Sequence, residues 1–301
     1  MTQLPTLRQL QFIIALAEHG SFSRAAEAVF VTQPTLSAAI KELESILGTV
    51  LVERGARGAV LTPAGEVVLE RAQRVMTEAE DLVVAAQAAG EPLSGPFRLG
   101  VIPTIAPFLL PQVLPALRVR FPDLELFLRE DLTDRLLDAL RDRRIDAALI
   151  ALPYDAPLIE THAVWSDEFL FAGPPGHRLA DRATLSPKDL TDEPLLLLED
   201  GHCLRDHALA ACSTGSARSD FAATSLHTLV HMVKSGLGAT LLPKMAVDAG
   251  LVDRMGLEVR AFDPPVAGRE IGVAWRKGSA RAEEAVLLGD AIRDVLDNPS
   301  D

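Results

Sequence analysis

Cysteine is scarce in this chain, with two in 301 residues, which excludes a structural disulfide framework of the kind that staples small secreted domains. No uninterrupted apolar run approaches the roughly 18 residues that a membrane span requires. The first basic residue is Arg8, and the apolar stretch Phe12 to Ala17 is short and closed by Glu18-His19, so no secretory signal is readable. The expected compartment is the cytoplasm, where thiols start reduced. Internal repeats and low-complexity tracts are also missing. So is any basic excess: 29 Lys and Arg stand against 42 Asp and Glu, a net charge of -13, which at first argues against a nucleic-acid partner. What is present is 48% hydrophobic and 24% charged side chains, the balance of a globular protein. At roughly 150 residues per domain, the length suggests about two domains.

The acidity is unevenly spread. Residues 1–90 hold seven Lys/Arg and ten Asp/Glu, so -10 of the total belongs to the remainder. The boundary is marked by Gly90-Glu91-Pro92-Leu93-Ser94-Gly95-Pro96, whose two Gly and two Pro break a helix before it and start extended chain after it. Upstream the periodicity is helical. Downstream, short apolar runs such as Phe97 to Ile102, Leu124 to Leu128 and Ala147 to Leu152 alternate with helical patterns, which predicts an α/β domain.

In the first part, Ser23 to Val31, a turn at Val31-Thr32, and Gln33 to Leu47 have helix-turn-helix spacing. Thr32 is expected to cap the second helix with its side chain, Pro34 sits in the first turn where its missing N–H is not needed, and Gly48 ends the helix. Leu36, Ile40, Leu43 and Leu47 share one face. The opposite face carries Pro34, Ala38, Lys41 and Ser45, with Ser37 beside it, a small polar surface able to enter a major groove. Val50 to Leu61 contains Arg54, Arg57 and two glycines, suggesting a two-stranded wing whose arginines reach phosphates. An inert helical bundle would show much of this pattern, and residues 1–62 are balanced at five positive and five negative charges. From Pro63 a long helix runs towards Gly90, with Thr62 as its cap. Val68, Ala72, Val75, Ala79, Leu82, Ala86 and Ala89 recur at alternating spacings of four and three, which suits a dimerising helix or one packed on its own domain.

The words Ser21-Phe22-Ser23-Arg24-Ala25-Ala26, Thr32-Gln33-Pro34-Thr35-Leu36-Ser37, Ile40-Lys41-Glu42-Leu43-Glu44 and Leu61-Thr62-Pro63-Ala64-Gly65 closely resemble the DNA-binding domain of LysR-type transcriptional regulators. The resemblance implies a helical winged helix-turn-helix domain over 1–62 and a linker helix over 63–90 that pairs two subunits on pseudo-palindromic double-stranded DNA. It places Thr32, Gln33, Pro34, Thr35, Ser37 and Lys41 towards DNA, with Arg54 and Arg57 near its backbone. Further along, Gly100-Val101-Ile102-Pro103-Thr104, Phe121-Pro122 and Ser235-Gly236-Leu237-Gly238-Ala239-Thr240-Leu241-Leu242-Pro243 resemble the effector domains of the same family. After a hinge at 91–96, that implies an α/β regulatory domain over 97–301, built of two periplasmic-binding-protein-like lobes, the second spanning approximately 169–268. Gly236-Leu237-Gly238 alone is a weak signal, and no nucleotide is assigned.

Both cysteines lie in Leu195 to Cys212, where an apolar strand leads into a turn and a helix. With Asp200 or Gly201 as the cap, Cys203 falls in the first turn, where the helix dipole and the neighbouring Arg205 favour a thiolate. Cys212 follows nine residues later, about 13 Å along a continuous helix, whereas a disulfide needs Cα atoms within roughly 7 Å. Pairing them therefore requires the helix to unwind. Three readings remain at this point. Both thiols can be small buried hydrophobes. Cys203 with His207, or His227 with His231, has the i, i+4 spacing of metal ligands, although no paired C-x-x-C motif supports it. The third reading is a redox switch.

Leu198-Glu199-Asp200-Gly201-His202-Cys203-Leu204-Arg205-Asp206, with Cys212 nine residues on, is nearly identical to the sensing segment of the hydrogen-peroxide-responsive LysR-type regulators. Leu99 to Thr104 and Ala223-Thr224-Ser225-Leu226 extend the likeness. The resemblance implies that Cys203 is the peroxidatic cysteine, oxidised by hydrogen peroxide to a sulfenic acid, and that Cys212 resolves it as a disulfide. Thr104, Thr133, His202, Arg205, Asp206 and Arg269 would surround the peroxide and thiolate, Arg269 being a chemically sensible partner for the sulfur. It also implies a transcriptional activator of antioxidant genes that assembles as a dimer or tetramer, with RNA polymerase as a partner, and with no metal, cofactor or membrane. Departures are His207, where many relatives carry Gln, and the short stretch Ser213 to Ala222. Two other functions compete: a non-redox regulator of the same family that binds a small metabolite between the lobes, and a thiol peroxidase carrying a DNA-binding domain.

Overall fold

The computed structural model describes residues 4–55, 58–87, 92–154, 156–190, 193, 195–211, 222–265 and 268–298. The chain divides into two compact units, Met1–Ala89 and Gly90–Asp301.

The first unit contains α1 (Leu7–His19), α2 (Phe22–Ala28), α3 (Gln33–Leu47), a two-stranded antiparallel wing of β1 (Val52–Gly55) and β2 (Gly58–Leu61), and α4 (Pro63–Gln87). Its core joins Phe12, Ile13 and Leu16 of α1 to Leu36, Ile40 and Leu43 of α3. Leu47, expected on the same buried face, is largely exposed, because it lies in the last turn before Gly48 reverses the chain with φ 66°. Thr32 stands at the N-cap of α3 in extended conformation but makes no side-chain cap bond; its hydroxyl pairs with the Thr35 hydroxyl at 2.8 Å. The capping device that does form is at α1, where Thr6 and Gln9 bond each other reciprocally.

Thr62 does cap α4, accepting from the Gly65 N–H at 3.0 Å and donating to the Val50 carbonyl at 2.8 Å. Gly65 is required for that packing, since a Cβ there would lie 2.1 Å from the Leu51 carbonyl oxygen. The apolar stripe on α4 serves two purposes along its length. Val68 and Ala72 pack into the unit's own core, while Val75 and Leu82, with Val83 beside them, stay exposed.

The second unit begins with β3 (Gly95–Val101), α5 (Ala106–Arg120), β4 (Leu124–Glu130), α6 (Thr133–Arg141), β5 (Ala147–Leu152) and β6 (Ile159–Asp167). The chain then enters another sheet through β7 (Phe169–Gly173) and β8 (Thr184–Leu185). There follow β9 (Leu197–Leu198), α7 (Cys203–Ala211), β10 (Ala222–Ala223), α8 (Leu226–Lys234), β11 (Thr240–Pro243), α9 (Lys244–Asp248) and β12 (Glu258–Phe262). The chain returns with β13 (Arg269–Arg276) and closes with α10 (Ala282–Asp297). One sheet has the order β4-β3-β5-β13-β6, the other β11-β7-β12-β8, with β9 and β10 as a parallel pair.

β5 is central and wholly buried, which is why Ala147 to Leu152 reads as an unbroken apolar run. β4 is an edge strand and leaves Phe127 and Leu128 exposed. β3 starts at Gly95, already paired with Leu124, so the end of the expected hinge at 91–96 belongs to the sheet. Two connections link the sheets, Asp167 to Phe169 and Phe262 to Arg269. Gly268 is pressed against the first of them, and a Cβ on it would meet the Asp167 carbonyl oxygen at 2.2 Å. Among the described residues, no helix is long and apolar enough to cross a membrane.

Candidate functional site

Cys203 is the first residue of α7. The residue just before the helix is His202, not Asp200 or Gly201, and its carbonyl accepts from the Arg205 N–H at 2.9 Å. The turn that delivers Cys203 depends on Gly201, whose φ of 95° suits glycine and which sits close to Leu132. Cys203 itself is partly buried. It lines a narrow crevice with Ile102, Pro103, Thr104, Leu132, Thr133, Gly201 and His202.

These residues come from the starts of three helices. Thr104 lies just before α5, Thr133 opens α6 and Cys203 opens α7. The starts of α6 and α7 present positive helix ends here, whereas the first N–H groups of α5 donate to the Ile102 carbonyl and Pro107 has none. Two such helix ends at one crevice favour negative charge there. The Thr133 hydroxyl, itself buried, donates to the Cys203 sulfur at 3.6 Å.

Arg269 occupies the first position of β13 with its side chain fully buried. Its guanidinium is held by Asp167 rather than by the cysteine: Nε and Nη2 donate to Asp167 Oδ2 at 3.0 and 2.9 Å. Nη1 donates to the Thr104 hydroxyl at 2.8 Å and Nη2 to the Thr104 carbonyl at 2.9 Å. Asp167 also accepts from the Met245 N–H at 2.9 Å. Burial pushes the Asp167 carboxyl up, while Arg269 and the Met245 amide pull it down. Because Asp167 balances the guanidinium, Arg269 acts on the crevice chiefly by orienting Thr104, whose hydroxyl accepts from Arg269 and so keeps its own proton to donate.

Arg205, expected beside the thiolate, turns the other way. It pairs with Asp200 at 3.0 Å and donates to the Leu198 carbonyl at 3.1 Å, bracing the turn before α7. Asp206 is exposed in the first turn of that helix. His202 is partly buried, and burial holds its pKa below the ordinary imidazole value against the pull of Glu199. His207, one turn after Cys203, is held low by burial and then by Arg269, against Asp206. Its Nδ1 is buried without a hydrogen-bond partner among the described residues. Among the described residues, no group of three or more His, Cys, Asp or Glu could hold a metal ion.

α7 runs unbroken to Ala211, about 12 Å along its axis from Cys203 at ~1.5 Å per residue. Cys212 lies outside the described residues, as do Arg57 and most of the stretch Ser213 to Ala222. On α3, Pro34, Thr35, Ala38 and Lys41 are exposed, while Gln33 and Ser37 are partly buried. Arg54 lies in β1, opposite Ala59. Sequence reasoning missed Asp167 and the Tyr154–Asp134 pair described below. Neither has a local motif, because their partners are distant in the chain.

A helix-turn-helix unit with a wing and a long helix, joined to a unit of two sheets that the chain enters and re-enters, defines the class. Residues 7–66 match the family described as bacterial regulatory helix-turn-helix protein, lysR family. Residues 90–297 match the LysR substrate binding domain. The chain belongs to the LysR family of bacterial regulators, with the winged helix-turn-helix at its N-terminus and the two-lobed α/β effector domain after it.

Within that class the chain is similar to hydrogen peroxide-inducible activators. The chain is 43% identical over 298 residues to a probable hydrogen peroxide-inducible genes activator of Mycobacterium avium, covering 97% of this chain and 96% of the relative. It is similar to the solved structure of a full-length OxyR cysteine-to-aspartate variant from Pseudomonas aeruginosa, with TM-score 0.77, 37% identity and coverage of 97% and 95%. It is also similar to a Corynebacterium glutamicum OxyR cysteine-to-serine variant with hydrogen peroxide bound, with TM-score 0.69, 36% identity and coverage of 99% and 94%.

Proposed function

We propose that this chain is a cytoplasmic, DNA-binding transcriptional activator of antioxidant genes that senses hydrogen peroxide through Cys203 and Cys212. The observation that carries this reading is the placement of Cys203 at the start of α7 beside the start of α6, with the Thr133 hydroxyl donating to its sulfur. The thiolate sulfur attacks one peroxide oxygen and the O–O bond breaks. Sulfur is oxidised by two electrons to the sulfenic acid, and the departing hydroxide takes a proton to become water. Thr104 and Thr133 orient the peroxide, Arg269 sets Thr104, His202 lines the crevice beside Cys203, and Asp206 acts from the exposed first turn of α7. The Cys212 thiolate then attacks the Cys203 sulfur, expelling the oxygen as water and closing the disulfide. Closure needs α7 to unwind, since the helix holds its ends further apart than a disulfide spans.

Peroxide is here a signal, not a metabolic substrate. A second cysteine at a distance that a continuous helix cannot bridge favours a redox signal over a metabolite. On the DNA side, Thr32, Gln33, Pro34, Thr35, Ser37 and Lys41 face DNA, with Arg54 and Arg57 near its backbone. The exposed half of α4 pairs subunits into the dimer or tetramer that reads pseudo-palindromic sites and engages RNA polymerase. The test is alkylation gel shifts and DNA footprints of wild type, Cys203→Ser and Cys212→Ser before and after stoichiometric peroxide. An intramolecular disulfide and an altered footprint are expected in wild type alone. A wild-type footprint that changes identically in Cys203→Ser rejects the switch, and sustained peroxide turnover with reductant points to a thiol peroxidase.

A further inference from the structure

We infer that Tyr154 is a positioning residue for the Cys203 chemistry, acting through Asp134 to fix the helix start that aims Thr133 at the sulfur. The inference rests on the peroxide reading above.

Tyr154 is the single tyrosine in the chain. It lies in the connection between β5 and β6, with its ring partly buried against the core. Its hydroxyl donates to Asp134 Oδ1. Asp134 is the second residue of α6 and Thr133 the first, the residue whose hydroxyl donates to Cys203. α6 lacks the usual device for fixing its first turn, since Leu132 stands at the N-cap and supplies no side-chain cap bond. Asp131, just before the helix, accepts from the Leu132 N–H at 3.0 Å and pairs with Arg135 at 3.4 Å, and the tyrosine adds a restraint on Asp134 from outside the helix. The Asp134 hydrogen bond, burial, and the negative charges of Asp134 and Cys203 push the Tyr154 phenol up to about 12. The phenol therefore remains a donor at neutral and mildly alkaline pH.

A ring that merely fills the core would not need its hydroxyl. Tyr154→Phe keeps the ring and removes only the bond to Asp134. The measurement is the second-order rate of Cys203 sulfenic acid formation, read by dimedone labelling and mass spectrometry. All variants are made in the full chain carrying Cys212→Ser, so that the sulfenic acid persists. Tyr154→Phe is expected to slow oxidation roughly three- to tenfold, the factor that one hydrogen bond carries. Thr133→Val is expected to slow it too, and adding Tyr154→Phe to Thr133→Val is expected to change nothing further. Asp134→Ala is expected to match Tyr154→Phe, whereas Asp134→Asn, which keeps an acceptor oxygen, restores most of the rate. A wild-type rate in Tyr154→Phe overturns the inference, as does a full loss retained in the Thr133→Val background. Absence of any Cys203 adduct in the parent protein overturns the peroxide reading itself, a result distinct from either of these.

Discussion

Arg269→Met would leave the Asp167 carboxylate fully buried with the Met245 N–H as its remaining partner. An uncompensated buried charge costs about 3–5 kcal/mol, and urea unfolding of the variant should show a loss of that order. Arg269→Lys should recover little, because one ammonium lacks the fork that holds Asp167 and both oxygens of Thr104 together. A second prediction concerns protons. His202 and His207 have pKa values lowered in the folded protein, by burial in both cases, while an unfolded histidine titrates at about 6.5. Their contribution to stability is therefore complete above pH 6.5 and is lost as pH falls from there towards the folded values. Relative to His207→Gln, wild type should lose stability between pH 7.5 and 5.5, measured by urea unfolding at each pH. At this scale Cys203 and Thr104 stand in recognisable words, whereas Thr133 was named only through the family resemblance. Asp167 was not, since it meets Arg269 from 102 residues away and belongs to a crossover rather than a motif. Arg205 misled for the opposite reason: proximity in sequence suggested proximity of charge, yet Asp200 and the Leu198 carbonyl hold it.

Gly65→Ala tests how the elements of the first unit are fitted together. The added carbon would fall 2.1 Å from a backbone oxygen of Leu51, which cannot swing aside as a side chain can. A loss of about 1–3 kcal/mol is expected, read as a lower thermal midpoint of the full chain with weaker DNA binding. The motif Leu61-Thr62-Pro63-Ala64-Gly65 thus has a physical content, a cap, a helix-starting proline and a glycine with no room for a side chain. Long elements with clear periodicity were readable, among them α3, α4 and the buried β5. The two-residue strands β8, β9 and β10 carry too little pattern to be read. α5 runs through Pro111 and Pro115, where local rules would break a helix. Its buried face of Phe108, Leu109, Val113 and Leu117 outweighs the lost bonds. The start of α7 was placed within its first turn, but its cap was misassigned because Gly201 reverses the chain one residue before His202.

At the scale of the whole molecule, the net charge of -13 belongs mostly to the second unit, so it does not oppose DNA binding by the first. α4 divides its apolar stripe between its own core and solvent, a division that periodicity alone could not show. The central claim joins the two cysteines to one helix, in that their closure must break α7. Amide hydrogen exchange across residues 203–211, measured in the reduced protein and after stoichiometric peroxide, tests it directly. Slow exchange in the reduced state, replaced by fast exchange once the Cys203–Cys212 disulfide has formed, is the predicted result. A disulfide formed with the protection of α7 intact would contradict the account.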